Sequence, residues 1–159
     1  MKLENVVFED IEIGQSAIRT RLVQLSDIQD LSILPEGQSL DNWAQEYANN
    51  MAFQGAVVQG TWTAAQISAV INTQLPGPGA VYLSQDLKFA LPVVVGDVIT
   101  TKVTVIDKDF RHGSLIIDCQ CSNQRKEEVV FGIATVRAPT EKICIEIKST
   151  KEKVLNSAC

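Results

Sequence analysis

The stretch "GTWTAAQISAVINTQL", residues 60–75, runs straight into "PGPG", residues 76–79. Its apolar positions (Trp62, Ala64, Ala65, Ile67, Ala69, Val70, Ile71) go round the helix instead of marking one stripe. A helix that is apolar on most sides is buried on most sides. Proline and glycine then stop it sharply, because proline cannot continue the ladder and glycine tolerates unusual backbone angles.

The carboxyl-terminal half of the chain supplies the cover for that helix. "AVYLSQDLKF" (80–89), "DVITTKVTVI" (97–106), "SLIIDCQCSN" (114–123) and "EVVFGIATVRA" (128–138) all read as strands. In the third, Leu115, Ile117, Cys119 and Cys121 fall on one face, with Asp118 and Gln120 on the other. "DKDFRHG" and "QRKEE" are polar turns between strands. On the amino side, "SAIRTRLV" (16–23) alternates as a strand does, and Ser26 with Gln29 has capping-box spacing for a short helix. Pro35 and Gly37 break that helix, and "DNWAQEYANN" (41–50) reads as another. Strand, short helices, one buried helix and an antiparallel meander imply a curved sheet wrapped around a helix, an α+β fold. After Pro139 the chain turns lysine-rich with alternating "ICIEI", as an edge strand or a linker.

Composition narrows the function classes. At 159 residues, with 45% hydrophobic and 21% charged side chains, the chain suits one soluble domain with a real core. A formal net charge of −5 disfavours nucleic acid, which needs a concentrated basic surface. Residues 1–52 are the acidic part, with nine acidic side chains against Lys2, Arg19 and Arg21. No apolar run reaches membrane-spanning length, and "MKLENVVFED" has no signal-peptide core, so no membrane role and a cytoplasmic location are expected. Four cysteines without a CxxC pair, and one histidine, give no metal site; buried free thiols are expected.

From "TQLPGPGAVYLSQDLKFALPVVVGD" (73–97) the sequence resembles the MaoC-like hotdog family, which includes the (R)-specific enoyl-CoA hydratases. The likeness runs from Phe8 to about Pro139. "EYA", "FQG", "GTW", "DCQCSNQ" and "APTEKI" further resemble the hydratase-like domain at the amino end of certain phosphate acetyl- or butyryltransferases. The resemblance implies a hotdog domain over 1–139 with a tail or linker over 140–159. It also implies a homodimer, since family pockets form between protomers, and a possible phosphotransacylase domain or partner. The implied ligand is a coenzyme A thioester, with no cofactor.

In the family, an aspartate and a histidine five residues later activate water for addition to a trans-2-enoyl thioester. Aligned on "EYA" and "GTW", this sequence reads "GQSLDN" (37–42), so Gly37 stands at the aspartate position and Asn42 at the histidine position. A further family histidine is Gln59. Neither glycine, asparagine nor glutamine titrates usefully. Asp41 and Glu36 each lie one residue from a dyad position, and a buried carboxylate with a raised pKa can serve as a base. Asp41 or Asn42 also suits a helix N-cap, and Glu36 a solvated loop. The resemblance places the thioester carbonyl at Gly60, where the opening of the helix presents unpaired N–H groups, with Gln59 and Thr61 beside it. Phe53 and Trp62 are candidates for the acyl channel, Trp62 equally for the core; Met51 reads as core or pocket wall. Lys88, Lys102 and Arg111 are candidates for coenzyme A phosphates, and His112 reads as a hairpin-turn residue.

Three readings stand side by side. The first is an acyl-thioester-binding or partner-assisting domain without hydratase activity. The second is a hydratase, dehydratase or thioesterase with a relocated carboxylate. The third is a structural oligomerisation module.

Overall fold

The computed structural model describes residues 2–27, the backbone of 57–58, and residues 60–147. In chain order these form β1 (Lys2–Glu4), a 3-10 turn (Phe8–Asp10), β2 (Ser16–Leu22), β3 (Val57–Val58) and helix α1 (Gly60–Thr73). Next come β4 (Val81–Phe89), β5 (Val93–Val94), β6 (Val98–Asp109), β7 (Ser114–Ser122), β8 (Glu128–Arg137) and β9 (Cys144–Glu146). The expected helices over 28–50 lie outside the described residues.

α1 forms where the apolar run predicts and packs against β6, β7, β2 and β4. Trp62, Ile67, Val70 and Ile71 are fully buried, so Trp62 belongs to the core. The remaining side, from Thr61 through Ala64, Ala65 and Ser68 to Asn72, is small or polar and partly open. The last turn closes with Gln74 N and Leu75 N both donating to Val70 O, and Gly77 N reaching back to Ile71 O at 2.9 Å. Gly77 takes φ +91°, and a Cβ there would stand 3.0 Å from Glu4 O, so this turn needs glycine on both counts.

The five-stranded antiparallel sheet has the order β2-β6-β7-β8-β4. This is the curved α+β hotdog arrangement that the sequence implies, with one difference. Only β6, β7 and β8 form a meander. β4 pairs with β8 at the far edge instead of with β6, the next long strand. After Phe89 the chain leaves the sheet, makes the short β5 pair with β3, and crosses to β6. The turn into β6 is held by buried Asp97, which accepts Val94 N at 3.0 Å and Gln124 Nε2 at 2.8 Å.

Side-chain alternation drives the packing. On β7 Leu115, Ile117, Cys119 and Cys121 are buried while Gln120 is exposed. On β6 Ile99, Thr101, Val103 and Val105 face inward; the register then shifts between Val105 and Asp107, and Asp107 is exposed next to Ile106 instead of turning inward. One extra residue in a strand turns the side chains beyond it to the other face. Burial pushes the Cys119 thiol up to about 12, with the Asp118 carboxylate adding to it, and burial alone pushes Cys121 up to about 11. Both thiols are free and stay protonated, hence unreactive, at neutral pH. Cys144 departs from the expectation of buried thiols: it sits exposed on β9, whose three side chains all face solvent.

The segment after Pro139 folds as an edge strand, β9, against β1 in a separate two-stranded sheet. Asn5 is its clasp. Its side chain donates to Glu141 O at 2.8 Å and accepts Ile143 N at 2.9 Å. Val6 N meanwhile reaches Pro76 O, tying β1 to the carboxyl end of α1. Near β2, residues 25–27 begin a helical turn one residue ahead of Ser26, because Asp27 accepts Gln24 N at 2.8 Å. Buried Asp27 pairs with Arg21, whose guanidinium lies 5.8 Å from the Trp62 ring centroid.

Candidate active site at the amino end of the central helix

The first turn of α1 holds Gly60, Thr61, Trp62 and Thr63, with no acidic side chain to occupy its N–H groups. Such groups lack intrahelical acceptors and carry the positive end of the helix dipole. Two clefts flank this turn. One, of about 440 Å³, lies between Thr61, Ala65 and Ser68 of α1 and Tyr82, Ser84 and Gln85 of β4. The other, of about 400 Å³, is lined by Gly60, Thr63, Phe89, Leu91, Val93 and Val130. Both fall in the size range of small-molecule pockets.

Gly60 allows close approach for a visible reason. A Cβ on it would meet the Phe89 ring at 3.0 Å from Cε1 and 3.2 Å from Cδ1. The ring therefore lies against the first residue of α1, while more than half of Phe89 is open to solvent. In the other cleft the Tyr82 hydroxyl donates to Gln85 Oε1 at 3.2 Å. Burial, with a smaller contribution from Cys119, pushes its phenol up to about 12, so it is a neutral donor at physiological pH. Tyr82 is the one ionisable side chain among the described residues lining either cleft. These walls can bind, orient and exclude water, but among the described residues they carry no carboxylate, imidazole or amine.

Of the residues singled out in the sequence, Gly60 and Thr61 stand at this site. Asp41, Glu36, Gly37, Asn42, Gln59, Phe53 and Met51 lie outside the described residues. Lys88 alternates with Phe89 along β4 and so points to the opposite face of the sheet. Lys88 and Lys102 share one cross-strand row through Phe131 and Gln120, three strand spacings or roughly 14 Å apart. Arg111 and His112 sit exposed in the β6–β7 turn, where His112 Nδ1 lies 2.7 Å from Asp109 Oδ2. That contact, with the Arg111 backbone N–H as the next contributor, holds the Asp109 carboxyl below its usual range. Among the described residues no group of His, Cys, Asp or Glu could hold a metal ion, and no helix is long and apolar enough to cross a membrane. Sequence reasoning missed Phe89. Its only signal was an aromatic closing a strand just ahead of "ALP", where the chain must leave the sheet.

Comparison with known proteins bears on this geometry. The sequence matches the family described as "MaoC like domain" over residues 43–126, beginning one residue past Asn42. The chain belongs to the MaoC-like family. This MaoC-like domain is 34% identical over 138 residues to a 3-hydroxybutyryl-CoA dehydratase of Methylorubrum extorquens, covering 87% of each chain. It is 37% identical over 132 residues to an (R)-specific enoyl-CoA hydratase of Rhodospirillum rubrum, covering 83% of this chain and 91% of that one. The MaoC-like fold also superposes on the unliganded R-hydratase PhaJ1 of Pseudomonas aeruginosa with a TM-score of 0.84. That alignment has 30% identity and covers 94% of this chain and 96% of that chain.

Proposed function

We propose that this MaoC-like domain binds a coenzyme A acyl thioester at the amino end of α1, without a cofactor, and does not hydrate it. The observation that carries this reading is the pairing of a helix first turn without acidic side chains with cleft walls that, among the described residues, hold no acid–base side chain save Tyr82. Anchoring the family motif on "EYA" and "GTW" supports the same reading, because it puts Gly37 and Asn42 at the dyad positions. The N–H groups of the first turn polarise the thioester carbonyl, and the apolar walls exclude water from it.

Calorimetric titration with butyryl-CoA is the direct measurement, on wild type and on Gly60→Val. Binding is expected in wild type. It should weaken about tenfold in the variant, the worth of one or two lost hydrogen bonds. The fold should survive, since the half-exposed Phe89 ring has room to move aside. Equal affinity in both proteins, or no heat in either, would leave a structural oligomerisation module as the better account.

A second reading is favoured by the relatives at 34% and 37% identity, whose names are those of a dehydratase and a hydratase. In that reading Asp41 or Glu36 acts as a relocated base for hydration, dehydration or thioester hydrolysis. Under either reading the domain works as a homodimer. β4 supports this as a long edge strand with Val81 and Leu83 exposed, the kind of edge that seldom stays uncovered. Light scattering is expected to give twice the monomer mass of 17.4 kDa, and a stable monomer at micromolar concentration would count against it.

A further inference from the structure

We propose that the Phe89 ring sets how much acyl chain the cleft beside Gly60 accepts, making Phe89 the specificity-determining wall; this rests on the binding reading above. Among the described walls of that cleft most are fixed; the exception besides Phe89 is Leu91, 43% exposed, two residues beyond the ring. Gly60 and Thr63 belong to α1, and Val93 and Val130 are core residues at 3% and 1% exposure that cannot recede. The backbone carrying the ring is fixed as well, since Ala90 N and Leu91 N both donate to Val129 O, at 2.9 Å and 3.4 Å, and Pro92 comes next. What remains free is the side chain itself, 55% exposed at the end of an edge strand.

Its position decides the consequence. The ring stands close enough to Gly60 that even a methyl group there would crowd it. An acyl chain entering along the helix end therefore meets the ring before it can fill the cleft further. Short chains fit alongside the ring, and longer ones require it to swing out. A side chain serving only as cover for the sheet edge would have no such effect on chain length.

The experiment is calorimetric titration with butyryl-, hexanoyl- and octanoyl-CoA on wild type, Phe89→Ala and Phe89→Leu. In wild type, affinity is expected to level off as the chain lengthens. In Phe89→Ala it should go on rising, by about fourfold for each further methylene buried. Phe89→Leu should fall between them, and it keeps the comparison available if the alanine variant folds poorly. Parallel length series in wild type and both variants would overturn the assignment to Phe89 while leaving the site itself intact. No heat with any thioester in any protein would instead overturn the binding reading, and this inference with it.

Discussion

Crotonyl-CoA incubated with the purified domain is expected to stay unhydrated, with turnover at least about 10²-fold below that of an intact Asp/His pair. Positioned acid–base groups contribute roughly 10²–10⁴-fold, and under the proposed reading Gly37 and Asn42 stand at the pair's positions and cannot exchange a proton. The loss of absorbance at the enoyl thioester band reports the reaction directly. Restoring the pair with Gly37→Asp and Asn42→His should raise the rate by more than either change alone, because base and orienting partner act as a unit. Turnover at the level of the named hydratases, abolished by Asp41→Asn, would sink the proposal and hand the chemistry to a relocated carboxylate. Loss on Glu36→Gln instead would name the other candidate.

Gly132→Ala is expected to remove at least about 4 kcal/mol of stability, the range reserved for substitutions with a specific structural conflict. Gly132 lies on β8 opposite Leu87 of β4, with φ +157°. A Cβ on it would fall 2.0 Å from Asp86 O and 2.9 Å from Leu87 Cα. Those are backbone atoms, and no rotamer change relieves the contact. β4 would have to lift from β8, its sole partner among the described strands, and with it would go the walls of both clefts. Since small domains carry about 5–15 kcal/mol in all, the variant should melt far earlier or fail to fold cooperatively. Urea unfolding monitored by circular dichroism measures this. A midpoint within experimental error of wild type would mean that β4 can reseat without loss.

The contrast between these two sites shows what the sequence displays and what it conceals. Periodicity located α1 and the long strands within three residues at either end, because burial of alternating or encircling apolar side chains is a local property of the chain. Strand order was less legible. Nothing within "AVYLSQDLKF" says that it pairs with β8, since that choice depends on the crossover through Pro92 and Asp97. Gly132 left a trace, a glycine in the interior of a strand, which often marks close backbone approach. The trace does not say what approaches. At the site, Gly60 was marked by its place in "GTW". Phe89 was not, because its role comes from contact with a residue 29 positions earlier. Lys88, one residue away, is turned by strand alternation to the other face of the sheet.

The β1–β9 pairing has a consequence for how this domain can be attached to anything else. Lys2 stands opposite Glu146, Asn5 clasps the chain leading into β9, and Val6 N ties β1 to the turn that closes α1. The Phe89 cleft lies at the other end of that 14-residue helix, about 20 Å away at 1.5 Å per residue. A leash fixed at the clasp, whether a sensor surface or a neighbouring protein, leaves from the pole opposite Gly60. The domain can therefore be tethered there, at the pole away from the cleft beside Gly60.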